Sequence, residues 1–202
     1  MPVELKICGI NSENIIKTIA KEGNCNYLGF VFYPPSPRNL TIAKSKKLTS
    51  IVPKHIKKVA VLVKPELSFV EKIKNQFDYF QLYETSPSNV KKIKLLSNKK
   101  IIQAIKVREK KDIDSYKKYI GIADKFLFDS PSLEKSSTFN WNYLKNLEIK
   151  GWFLAGGINI NNLDLAINIT PKIDISSGLE DNSGKKSPKK TLDFLKKIKN
   201  YD

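Results

Sequence analysis

The sequence predicts a (β/α)8 barrel of the TIM type, a single domain over residues 1–202. Three observations lead there. Eight short β-like runs alternate strictly with eight stretches of helical periodicity, the order that builds a parallel sheet. A chain of 202 residues lies near the lower end of what eight such units occupy. The first β-like run is not followed by GxGxxG, which weakens the alternative, an open doubly wound sheet binding a dinucleotide.

The units follow in order. "VELKICG" (3–9) reads as a strand, and "SENIIKTIAKEG" (12–23) as a helix with Ile15, Ile16 and Ile19 on one face and a glycine stop. "YLGFVF" (27–32) is a strand; "TIAKSKKLTSIV" (41–52) is a helix that Thr41 can cap. "KKVAVLV" (57–63) precedes the helix "ELSFVEKIKN" (66–75), and "FDYFQLY" (77–83) precedes "SPSNVKKIKLL" (86–96), with a proline near its start. "KIIQAIKV" (100–107) and "KFLFDS" (125–130) are strands followed by helices expected at 112–121 and 140–147. "GWFLAGG" (151–157) and "KIDISSG" (172–178) flank a short helix at 160–168. The last helix, 187–200, has Ser187 as cap, Pro188 at its first position and a stripe of Leu192, Leu195 and Ile198.

Composition narrows the function. Apolar residues are 41% and charged residues 28%, as in ordinary globular proteins. No apolar run approaches the roughly 18–20 residues of a membrane span, and the first residues lack a signal-peptide pattern, so the expectation is a cytoplasmic protein that does not bind a membrane. Two cysteines make no disulfide framework, and a lone histidine, His55, disfavours histidine zinc sites and a Ser-His-Asp triad. Catalysis must lean on carboxylates, a thiol or lysines. The net charge of +16 invites a nucleic-acid reading, but the lysines are spread along helical segments without interleaved aromatics, so no nucleic-acid partner is expected.

A barrel carries its site at the carboxyl ends of its strands, where alternate side chains point inward. The apolar parity (Leu5 and Ile7, Phe80 and Leu82, Phe126 and Phe128, Ile173 and Ile175) belongs to the helix layer. Lys6, Cys8, Gln81, Tyr83, Asp129 and Asp174 then point inward, while Lys106 shares its parity with Ala104. So many polar groups converging in a barrel would be costly as mere packing and indicate a site. "AGGIN" (155–159) and "SSG" (176–178), after the seventh and eighth strands, suit the backbone cradle that barrels offer a phosphate. In "YPPSPRNL" (33–40), one of only two arginines follows three prolines, which suggests a planar grip on a carboxylate or phosphate by Arg38.

"KICGI", "GFVFYPPSPRNL", "FDYFQLY", "FLFDS", "FLAGGIN" and "DISSGLED" together resemble the phosphoribosylanthranilate isomerases of tryptophan biosynthesis, over nearly the whole chain and in the same order. The resemblance implies a barrel enzyme with neither cofactor nor metal. It would perform the Amadori rearrangement of N-(5-phosphoribosyl)anthranilate, a small phosphosugar substrate, and work as a monomer. Carried onto matching positions, it makes Cys8 the general base, Asp129 the general acid and Arg38 the partner of the anthranilate carboxylate. Asp174 would position the substrate, and Gly156, Gly157, Ser177 and Gly178 would hold the phosphate. Acid chemistry at neutral pH needs Asp129 raised by burial; base chemistry needs Cys8 lowered, with Lys6 and Lys106 as candidate sources of charge. Arg108 receives no role, and Cys25, at the opposite end of the barrel, is read as structural. Two departures stand out. Gln81-Leu82-Tyr83-Glu84 replaces the usual "QLHG", and the loop "SPSLEKSSTFNW" (130–141) lacks the usual glycines and carries Asn140 for aspartate.

Overall fold

The computed structural model describes residues 2–131 and 138–201. Eight parallel strands close into a barrel in chain order. They are β1 (Glu4–Cys8), β2 (Tyr27–Phe32), β3 (Lys57–Val63), β4 (Tyr79–Tyr83), β5 (Lys100–Lys106), β6 (Lys125–Asp129), β7 (Phe153–Leu154) and β8 (Lys172–Ile175). β8 returns to β1, with Lys6 opposite Asp174. The helices are α1 (Glu13–Glu22), α2 (Ile42–Ser50), α3 (Leu67–Ile73), α4 (Pro87–Ser97), α5 (Leu163–Ile169) and α6 (Pro188–Ile198).

The period of two sorts the core into two bodies. Leu5, Ile7, Phe30, Phe80, Leu82, Phe128, Ile173 and Ile175 face outward and pack under the helices. Tyr27, Val59, Val61, Tyr79, Ile102, Leu127 and Phe153 fill the barrel. Tyr27 meets Tyr79 and Phe153 edge to face, with centroids 5.5 and 5.4 Å apart. These rings sit at or near the amino ends of their strands, so the interior there is apolar and the polar groups collect at the other end.

Capping follows sequence. Thr41, Ser86 and Ser187 each accept a backbone N–H at the start of α2, α4 and α6. In α6 the buried face is Thr191, Phe194, Leu195 and Ile198, while Leu192 is only half-buried.

The expected helices at 112–121 and 140–147 are corrected. Both crossovers are 3-10 helices, Lys110–Tyr119 and Trp141–Leu144. The first carries Asp112, Asp114 and Ser115, types that compete for backbone hydrogen bonds, and Asp112 Oδ2 accepts the Arg108 and Glu109 N–H groups at its tight start. The second buries a single side chain, Leu144, too little to hold a longer helix. The strand expected over 151–157 shortens to two residues, because Gly151, Gly156 and Gly157 all take positive φ. Of the glycine-free loop over 130–141, positions 132–137 lie outside the described residues.

Candidate active site

β1 ends on the two inward side chains Lys6 and Cys8. Their room comes from β2, where Gly29 pairs with Cys8. A Cβ on Gly29 would lie 2.8 Å from Cys8 Sγ, 3.1 Å from its Cα and 3.2 Å from Lys6 Nζ. Lys6 is fully buried and donates to both carboxylate oxygens of Asp174, each at 2.9 Å. Burial opposes its charge, but Asp174 and Cys8 together hold Lys6 above the ordinary lysine range.

Opposite, β6 ends on Asp129. Its Oδ1 accepts the Ser130 N–H at 2.8 Å, and its Oδ2 accepts the Tyr83 hydroxyl at 2.8 Å. Tyr83 in turn accepts from Gln81 Nε2 at 3.1 Å. Gly156, at φ 85°, lets the chain after β7 press on this corner: a Cβ there would stand 2.7 Å from Ser130 N and 3.3 Å from Asp129 Oδ1. Burial pushes the Asp129 carboxyl up to about 6, although the Tyr83 hydrogen bond works in the other direction.

The proline loop folds back on β2. Leu40 N–H reaches Val31 O at 2.9 Å, and Ser36 Oγ accepts the Arg38 N–H at 3.2 Å. Arg38 is buried and grips Glu180 with two prongs, Nε to Oε1 at 2.6 Å and Nη2 to Oε2 at 2.7 Å. Lys186, also buried, donates to Glu180 Oε1 and to Ser176 O at 3.2 Å each.

The loops after β7 and β8 complete the wall. The cavity of about 710 Å³, part of it open to solvent, is lined by Cys8, Arg38, Asp129, Gly156, Gly157, Asp174 and Ser177 among others. Gly178 does not line it. Its lack of a side chain instead lets the β8 loop press on the β7 loop, where a Cβ would meet Ile158 O at 2.1 Å. Val31, Tyr33, Val61 and Val63 give the cavity one apolar flank. Reasoning from sequence placed Ser176 in the "SSG" loop but missed Glu180 and Lys186. Glu180 lies inside the quoted "DISSGLED", but Lys186 carries no signal among so many lysines.

The family model described as N-(5'-phosphoribosyl)anthranilate (PRA) isomerase matches residues 5–197. The chain belongs to the N-(5'-phosphoribosyl)anthranilate isomerase family. Relatives of that name from Paramagnetospirillum magneticum and Zymomonas mobilis are 32% and 31% identical, with 97% and 98% of this chain and 97% and 99% of theirs covered. The phosphoribosyl anthranilate isomerase of Thermotoga maritima superposes with TM-score 0.88 at 26% identity, covering 98% of this chain and 99% of that one. A phosphoribosyl anthranilate isomerase structure in complex with reduced 1-(o-carboxyphenylamino)-1-deoxyribulose 5-phosphate superposes with TM-score 0.83, also at 26% identity, covering 98% of this chain and 99% of that one. The family reaction is an aldose–ketose isomerisation of tryptophan biosynthesis.

Two expectations about this family site need correction. Burial raises the Cys8 thiol rather than lowering it; Lys6 and Lys186 pull the other way, but Lys6 is already neutralised by Asp174. Lys106 contributes nothing direct to the thiol, because its ammonium pairs with Glu84 at 2.5 Å. Cys25 is buried beyond the amino end of β2, with its Sγ 3.3 Å from Tyr27 O, and burial pushes it up to about 12. It does not line the cavity.

Proposed function

We propose that this chain converts N-(5-phosphoribosyl)anthranilate to 1-(2-carboxyphenylamino)-1-deoxyribulose 5-phosphate by general acid–base catalysis, with Asp129 as acid and Cys8 as base. The observation that carries the reading is that a thiol from β1 and a raised carboxyl from β6 border one cavity, which Gly156, Gly157 and Ser177 from the loops after β7 and β8 also line. Asp129 gives its proton to the furanose ring oxygen as the ring opens to a Schiff base. Cys8, as thiolate, takes the C2 proton, and the resulting enolamine relaxes to the ketone. Arg38 meets the anthranilate carboxylate with the guanidinium edge that Glu180 leaves free, against the apolar flank of valines. Gly156, Gly157 and Ser177 receive the phosphate, with Gly178 setting the loop spacing. Asp174, tied to Lys6, faces the sugar.

At pH 7 the free site is mostly thiol and carboxylate, because Cys8 is pushed up while Asp129 titrates near 6. The working pair, thiolate with carboxylic acid, is the minor arrangement of the same protons. Its population is flat between the two midpoints, falls below that of Asp129 as thiolate is lost, and falls above that of Cys8 as acid is lost.

Turnover of phosphoribosylanthranilate generated in situ tests the reading. Cys8→Ser and Asp129→Asn each lose at least roughly 100-fold in kcat, the usual worth of a positioned acid or base. Wild-type rates in Cys8→Ser would remove the base assignment. We place the protein in the cytoplasm as a monomer that takes this small phosphosugar and neither nucleic acid nor membrane. Among the described residues no helix is long and apolar enough to cross a membrane. Sedimentation of a dimer would correct the oligomeric state without touching the chemistry.

A further inference from the structure

The departure of this chain from "QLHG" places a phenol against the proposed acid. We propose that Tyr83 is a positioning residue: oriented by Gln81, it directs its hydroxyl proton at Asp129 and so fixes the carboxyl plane and stabilises the carboxylate formed when the proton is delivered. This rests on the reading of Asp129 as the acid.

The direction of the chain follows from donors and acceptors. The Gln81 amide lies in the barrel interior with no exposure, and its Nε2 points to Tyr83 Oη at 3.1 Å, while its Oε1 has no hydrogen-bond partner among the described residues. Turning the amide over would face Oε1 to the phenol and bury a bare NH2, which is worse than a bare carbonyl. With a donor arriving at Tyr83 Oη, the phenol proton goes to Asp129 Oδ2 at 2.8 Å. The other oxygen is fixed by Ser130 N–H, so the carboxyl cannot rotate without breaking one bond. Both donors favour the ionised form.

Other charged or titratable groups face Asp129 from the surrounding strands: Lys6 and Cys8 on β1, Arg38 after β2, Lys106 opposite it on β5, and Asp174 on β8. Lys6 is committed to Asp174, Arg38 to Glu180 and Lys106 to Glu84. Tyr83 thus makes the shorter of the side-chain hydrogen bonds to Asp129 among the described residues, and its bond favours the charge. Ser130 Oγ is the other side chain near it, at 3.4 Å from Oδ1.

The test is Tyr83→Phe, read in two independent ways. The side-chain carboxyl carbon of Asp129, assigned by its loss in Asp129→Asn, is titrated by NMR in the free protein. The midpoint rises by about one pH unit, the worth of one hydrogen bond to a charged group. The acidic limb of kcat/KM, set by Asp129, moves up by the same amount, while KM stays within about two-fold. Gln81→Leu, which leaves the phenol in place without its donor, gives a smaller shift of the same sign and serves if Tyr83→Phe does not fold. An unchanged Asp129 midpoint in the variant overturns the proposal. A shifted NMR midpoint with an unmoved rate profile overturns instead the assignment of Asp129 as the acid.

Discussion

Removing the Asp129 charge should make the stability of the protein fall less as pH rises while abolishing its proposed chemistry. Asp129 titrates near 6 in the folded chain against roughly 3.9 when unfolded, a rise of about two units. The sign follows from proton counting. Between those values the folded state holds more protons than the unfolded one, so stability is full below about pH 4 and falls as pH climbs through about 6. Two units at about 1.4 kcal/mol each give a penalty of roughly 3 kcal/mol at pH 7, about 1.5 at pH 5 and about 0.5 at pH 4. Asparagine has nearly the same shape and carries no charge. Its oxygen can keep the Ser130 N–H, but its amide puts a donor where Asp129 Oδ2 accepts the Tyr83 hydroxyl, a cost that does not vary with pH. Urea unfolding of wild type and Asp129→Asn, followed by tryptophan fluorescence at pH 4, 5 and 7, measures the difference directly. Relative to wild type the variant gains about 2 kcal/mol between pH 4 and pH 7, on top of a constant offset from the lost Tyr83 acceptor. A difference that does not vary with pH would refute the reasoning, because it would mean that burial does not hold the carboxyl above its ordinary range.

Two further changes probe the site's geometry. Gly29→Ala drives a methyl to 2.8 Å from Cys8 Sγ and 3.1 Å from its Cα on the paired strand, so the thiol must turn away. Thermal or urea unfolding should show a loss of about 1–3 kcal/mol, with kcat down by at least roughly 10-fold; a fully active, fully stable variant would show that Cys8 has slack. Arg38→Lys exchanges the two-pronged grip on Glu180 for a point charge, so steady-state kinetics should show KM for the anthranilate substrate rising by roughly 10-fold with kcat within about three-fold. Loss of kcat with unchanged KM would place Arg38 in the chemistry rather than in binding.

The barrel and the inward set were legible in the sequence because both are local properties. Alternation at Leu5-Lys6-Ile7-Cys8 or Ile173-Asp174-Ile175 assigns each side chain to a face whatever the neighbouring strand is. Glycines at 156 and 157 announce a loop of positive φ wherever it packs. What the tertiary structure decided involves partners far apart in the chain, or sums over many groups. Arg38 meets Glu180 across 142 residues and Lys6 meets Asp174 across 168, and no local pattern specifies either pair. Lys186 enters the site only because the segment after β8 folds back beside Glu180. The sign of the Cys8 shift is the balance of burial, which raises it, against lysine charges, one of them already cancelled, and that balance exists only once every element is in place.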